Sequence, residues 1–273
     1  MRKFAVLAVL SVVAVSAFAQ SVRSGRQAPN VLFLDQAATA FIIPVAGNAP
    51  GELGTHWRSH IVISNFRSAE QRIRVTTLPA AGSGVSSTTR EFTLPAYENG
   101  GDLGLVDQDF VGTRLSTTGL MALRVEAITA SGAADSQARI DGISRIYTPA
   151  PNGGPGTLSM AMSTVKTDHL SGSQFSAFAV GMQQDANYRT NAGIVNLSGA
   201  TQTYRVDIFG SSTDATMNVS VPANSLAQFS LPDGNFGTAT VTFTMTGGSG
   251  NWTAYAASVD NRSGDSWARN ANY

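Results

Sequence analysis

Apolar and polar residues alternate one by one over much of the chain. In WRSHIVISN (57–65), Ile61 and Ile63 fall on one side and His60 and Val62 on the other; in QRIRV (71–75), Ile73 and Val75 alternate with Arg72 and Arg74. The same pattern returns in YRTNAGIVN (188–196) and in QTYRVDIF (202–209), where Tyr204, Val206 and Ile208 alternate with Arg205 and Asp207. A period of two predicts strands with one buried face. Each pair of strands is separated by a polar stretch opening on an asparagine, Asn65 or Asn196, a residue whose side chain bonds the backbone two positions on and so starts a turn. The pattern therefore predicts one hairpin of the same design in each half of the chain.

The correspondence extends beyond the hairpin. FTLPAYENG (92–100) matches VSVPANSLA (219–227), LMALRVEAI (120–128) matches GTATVTFTM (237–245), and RIDGISRIY (139–147) matches WTAYAASVD (252–260). ATAFIIPVA (38–46) finds its apparent counterpart in TLSMAMSTV (157–165). Short strands at regular spacing, separated by Gly, Ser, Asn and Pro, predict a β-sandwich for each copy. The stretch TPAPNGGPG (148–156) is dense in the two residues that interrupt sheets and is expected to be a linker. The expected division is a leader at 1–19, an N-terminal segment at 20–37, a first sandwich at 38–147, the linker at 148–156 and a second sandwich at 157–273. The best helical candidate after the leader, GDLGLVDQDFVGTRL (101–115), is limited by its glycines to one or two turns.

The leader reading rests on Arg2 and Lys3, the apolar run from Phe4 to Val15, and Ala17-Phe18-Ala19 before Gln20, the order of a cleaved secretory signal peptide. The run is short for a membrane span. An exported chain without cysteine has no disulfides, so its stability must come from buried cores. With 18 basic and 18 acidic residues the chain is formally neutral, and charged residues are only 13% of it. No concentrated positive surface is available for nucleic acid, and no polybasic segment recommends a membrane.

The succession FIIPVAG, WRSHIVISN, LPA and SRIYTP, followed by YRTNAGIVN, VPA and YAASVDNRSGD, resembles a broad group of uncharacterised secreted bacterial proteins with tandem Ig-like β-sandwich repeats, often appended to larger extracellular proteins. The resemblance implies an all-β fold of two tandem Ig-like antiparallel sandwiches, and export; it implies no activity. The first copy departs from the repeat at Phe66, where a small turn residue is more usual.

Candidate chemistry is sparse. His56 and His60 are four apart, which on a strand is too far for one metal ion, and His169 stands alone. A Ser-His-Asp hydrolase would have only these three histidines as bases, and no G-x-S-x-G elbow is present. Five glutamates all lie in the first half, which does not suit a duplicated pair of glycosidase carboxylates. In DNRSGD (260–265), Asp260, Asn261 and Asp265 offer oxygen ligands for calcium, against the alternative of a loop closed by Asx-turn hydrogen bonds and an Arg262 ion pair. Trp57, Tyr188, Trp252 and Tyr255 are the candidates for a sugar-stacking platform, against the alternative of rings packed over the sandwich ends.

The sequence thus predicts a secreted, cell-surface or periplasmic protein without catalytic activity or cofactor, acting in structure, adhesion or contact with an extracellular protein, self-association included. The alternatives are a pair of carbohydrate-binding modules and an extracellular hydrolase.

Overall fold

The computed structural model describes residues 37–272, apart from 52–54, 98–103, 151–155 and 173–174. The leader and the segment 20–36 lie outside the described residues. The fold is nearly all-β, built from antiparallel sheets with no closed barrel among the described residues.

The first half contributes β1 (Ala40–Pro50), β2 (His56–Asn65), β3 (Gln71–Pro79), β4 (Thr89–Leu94), β5 (Leu105–Asp107), β6 (Gly119–Ile128), β7 (Ile140–Pro149), β8 (Thr157–Ser163) and the short β9 (Val165–Lys166). The second contributes β10 (Ser176–Gln184), β11 (Tyr188–Asn196), β12 (Gln202–Gly210), β13 (Asp214–Val221), β14 (Ser225–Ser230), β15 (Gly237–Gly247), β16 (Trp252–Asp260) and β17 (Ser266–Asn270). In the second half, a sheet of order β10-β15-β12-β13 faces one of order β14-β11-β16-β17. The first half repeats both orders as β1-β6-β3-β4 and β5-β2-β7-β8, but there β1 runs on to pair with β2 (Asn48 opposite Arg58), so the two sheets join at a corner. In the same region of 101–115, β5 is followed by a single helical turn, Phe110–Arg114, capped where Asp109 accepts from the Gly112 amide at 3.2 Å.

The alternation read from the sequence sets the cores. Ile61, Ile63, Ile73 and Val75 are fully buried with Phe41, Ile43, Leu123 and Val125 between the sheets of the first half. Tyr204, Val206 and Ile208 are buried with Ala192, Ile194, Val241, Phe243 and Trp252 in the second. Each fully buried aliphatic or aromatic side chain contributes about 1.5–3 kcal/mol of transfer free energy. Phe66, the departure from the repeat, lays its ring 6.2 Å from that of Tyr97.

Two expectations of organisation are corrected. Thr148 and Pro149 complete β7 instead of opening a linker, and β8 turns back to pair with it, Thr148 opposite Leu158 and Pro149 opposite Thr157. Proline is tolerated there because it ends the strand, where a missing amide breaks little of the ladder. Residues 157–163, expected in the second sandwich as the counterpart of β1, therefore extend the first half's sheet, and their structural counterpart is β17, which pairs with β16 as β8 does with β7. The true counterpart of β1 is β10: each pairs with the equivalent strand and each bulges once, between Ile43 and Ala46 and between Ala179 and Met182. The bulge is built from Pro44-Val45 in one copy and contains Gly181 at φ 73° in the other, residues that suit an interrupted ladder.

A third apolar cluster joins the halves. Ile42, Val45, Leu78 and Ala122, on the outer face of β1, β3 and β6, pack against Val195, Leu226 and Tyr255 on the outer face of β11, β14 and β16. Ala80 bridges Leu226, and the Ala81 amide donates to the Leu226 carbonyl at 2.7 Å.

Candidate functional site

The four aromatic candidates do not converge. Trp252 is fully buried in the second core; its ring stands edge-on to Tyr204 at 5.0 Å, and its Nε1 donates to the Gly172 carbonyl at 3.2 Å. Tyr255 is buried between the halves, its hydroxyl donating to Gln228 Oε1 at 2.8 Å and its ring lying over Gly193, where a Cβ would come within 2.2 Å of it. Burial pushes the phenols of Tyr204 and Tyr255 up, so both stay neutral. Trp57 is half-buried against the cluster between the halves. Tyr188 is half-buried with its ring edge-on to Trp267 at 5.8 Å. A stacking platform made from these four is corrected: Trp252 is sealed inside the second core, and Tyr255 stands on the outer face of β16, which the first half covers.

The calcium candidates form the β16–β17 hairpin. Asp260 Oδ1 accepts from the amides of Arg262 (2.6 Å) and Ser263 (3.0 Å), and the Asp260 amide donates to the Asp265 carbonyl at 2.8 Å. Asn261 Oδ1 accepts from Arg189 at 2.7 Å, and Asp265 Oδ1 from the Ser266 amide at 2.9 Å. One oxygen of each of the three side chains is thus engaged in hydrogen bonds within or beside the hairpin, and among the described residues no group of three or more His, Asp or Glu side chains could hold a metal. The backbone amides of Ser263 and Arg262 hold the Asp260 carboxyl below its ordinary value. A depressed folded value means that the loop's stabilising contribution is present above the ordinary carboxylate range and fades as pH falls through the lowered one. An NMR titration of the Asp260 carboxyl is expected to give a midpoint below that of a free aspartate, and a midpoint at or above it would contradict the hairpin geometry.

Hydrogen bonding from Arg74, with Arg72 beside it, holds the Glu91 carboxyl below its usual range, unsuited to donating a proton at neutral pH. His56 contacts Asn48 Oδ1 at 2.5 Å on β2, His60 lies further along the same strand, and His169 is exposed on a short turn. A cleft lined by Ile42, Arg124, Thr167, Leu170, Leu197 and Asn251 has a volume of about 110 Å³. Small-molecule sites run to roughly 300–1,000 Å³. Arg124, its one cation, is paired with Glu126 at 2.6 Å.

What the sequence reading missed is on the sheet faces. Phe178 (44% exposed), Val180 (57%) and Phe209 (54%) stand on the outer face of β10 and β12, and Val106 (42%) and Ile143 (49%) on the outer face of β5 and β7. The signal was available in β10, where Phe178 and Val180 alternate with Ala177 and Ala179, an apolar residue on both faces.

No family model matches the chain, and no curated protein matches it significantly. Among solved structures, it is similar to a Thermotoga maritima protein, Thermotoga maritima 1070, at 11% identity and a TM-score of 0.30, over 36% of this chain and 91% of that one. So distant a likeness carries no argument about function. No helix among the described residues is long and apolar enough to cross a membrane.

Proposed function

We propose that this is an exported, non-catalytic protein whose two Ig-like sandwich modules make contacts with protein outside the cytoplasm. The observation that carries the reading is the placement of exposed bulk. Large apolar side chains stand exposed on two sheet faces, the form of surface that another protein covers, while the charged and amide side chains described above are spent on turns and ion pairs. The Ig-like assignment is supported by the pairings β2–β5 and β3–β6 and their counterparts β11–β14 and β12–β15, which match strands B–E and C–F of that fold. In each half the first strand takes the place of strand G and the seventh that of strand A, an exchange of the two end strands.

Photo-cross-linkers placed at Phe178 and Phe209 and at Val106 and Ile143, on the exported protein at its producing cell, test the reading, with a glycan array run in parallel. Covalent protein adducts from these positions and a blank array are the expected result. Glycan binding abolished by Phe178→Ala with Phe209→Ala would replace it with the carbohydrate-binding alternative.

A further inference from the structure

The repeat relates the two exposed faces to the interface inside the molecule. Ile42 lies opposite Arg124, one residue before the bulge-flanking Ile43; Phe178 lies opposite Thr242, one residue before the bulge-flanking Ala179. Leu78 lies opposite Ala122, and Phe209 opposite Thr240. Phe178 and Phe209 are therefore the second-half counterparts of Ile42 and Leu78. In the first half those positions are 0% and 3% exposed, because the second half covers them; in the second half they are 44% and 54% exposed.

The complementary face behaves in the same way. Tyr255 and Gln228 flank Gly193 on the two neighbouring strands, as Ile143 and Val106 flank Val62. Tyr255 is buried against the first half, whereas its counterpart Ile143 and the neighbouring Val106 stand in solvent. Each free face also carries a buried polar atom with no hydrogen-bond partner among the described residues, Oγ1 of Thr242 on one and Nε2 of His60 on the other. Stacked repeats normally end in polar outer faces, which keep the array from growing. Here the two end faces are apolar at the positions that make the internal contact.

We propose that a second copy of this chain seats its first-half face, Val62, Val106 and Ile143, on the second-half face, Phe178, Val180 and Phe209, of its neighbour, repeating between molecules the packing that joins the halves within one. The two faces differ, so the contact is heterologous: each addition leaves one face of each kind free, and the assembly extends as an open chain unless its rotation closes a ring. The inference rests on the reading of these faces as protein-contact surfaces and names the partner.

Sedimentation equilibrium of the chain from Gln20 onward, and of a chain lacking residues 20–36, tests it from micromolar to about 1 mM, the range in which weak contacts are read. The expected result is an average mass that climbs with concentration without stopping at a dimer, in at least one of the two chains. Phe178→Asp with Phe209→Asp, and separately Val106→Asp with Ile143→Asp, are each expected to leave a monomer at concentrations where the parent associates. An equimolar mixture of the two variants is expected to form one-to-one dimers, because each supplies the face the other lacks. Should aspartate disturb the strands, threonine at the same positions removes the apolar surface while keeping strand propensity, and the same mixing result is expected. Monomers throughout in both parent chains would overturn the proposal, as would a Val106→Asp, Ile143→Asp variant that still dimerises alone, which would mean a contact between like faces. Monomers throughout together with cross-links to a different protein would overturn self-association and leave the contact function standing; a glycan result would remove both.

Discussion

Asn196→Asp is expected to destabilise the protein by about 3–5 kcal/mol at neutral pH, in the range of a buried charge left without a partner. Asn196 is fully buried at the end of β11. Its Oδ1 accepts from the Ser198 amide at 2.8 Å, which makes the turn, while its Nδ2 faces the carbonyls of Ala200 (2.8 Å), Pro222 (2.9 Å) and Val221 (3.0 Å). The side chain thus ties the β11–β12 turn to the chain leaving β13. Aspartate keeps the first bond and sets a second carboxylate oxygen against three carbonyl oxygens. Burial and those carbonyls raise the new carboxyl above its unfolded value of about 3.9. Stability of the variant is then lost as pH rises through the unfolded value toward the raised folded one, so its deficit is smallest near about pH 4 and largest at neutrality. Urea unfolding of the variant and the parent at both pH values reads this directly. A deficit independent of pH would mean that no carboxylate is being forced into the site; Asn261→Asp, on the exposed hairpin, is the control expected to change little.

Asn65 does the same work in the first half, with Oδ1 accepting from the Arg67 amide at 3.0 Å and Nδ2 donating to the carbonyls of Ala69 and Pro95 at 2.8 and 2.9 Å. The Asx turn was legible in the sequence because it spans two residues and depends only on local chemistry. The second tie, from the asparagine to the Leu-Pro-Ala or Val-Pro-Ala segment some 25 to 30 residues on, was not, because it depends on how distant strands meet. Strand alternation was legible for the same local reason: a strand with one dry face and one wet face writes its orientation into consecutive residues.

Where both faces are dry, the writing disappears. All seven residues from Trp252 to Ser258 are buried, because one side of β16 lines the second core and the other meets the first half. Trp252 at the start of this run and Tyr255 at its middle lie on opposite faces of β16 and fill separate cores, which no alternation of wet and dry positions reveals. The misplacement of residues 157–163 has a related cause. A short alternating segment specifies that it will be a strand; which neighbour it pairs with depends on distant partners, and only the ladder shows that β10, not β8, is the counterpart of β1. The small residue at Gly193 was the one local hint that something large lies over β11.

Trp252→Ala is expected to destabilise by about 3–5 kcal/mol, the range for deleting a large buried aromatic ring. The ring is fully buried, packs edge-on to Tyr204, and its Nε1 holds the Gly172 carbonyl, while the backbone of the same residue exchanges two hydrogen bonds with Ser171, both at 3.0 Å. Trp252 therefore fastens the segment ahead of β10 to the start of β16, and β10 is one of the strands that display the free apolar face. Loss of the ring leaves a cavity beside Tyr204, whose hydroxyl donates to Gln202. Trp252→Phe keeps part of the packing and loses the bond to Gly172, so a smaller loss of about 1–2 kcal/mol is expected. Hydrogen exchange separates the two contributions: the Ser171 amide should lose protection in both variants, more so in alanine, whereas the Ile61 and Ile63 amides in the other core should change only through global stability. An exposed stacking ring would behave in the opposite way, with Trp252→Ala leaving urea unfolding within about 0.5 kcal/mol of the parent, as surface substitutions do. The unfolding curve therefore decides whether this tryptophan is part of the scaffold that sets the contact face or part of a surface that meets a ligand.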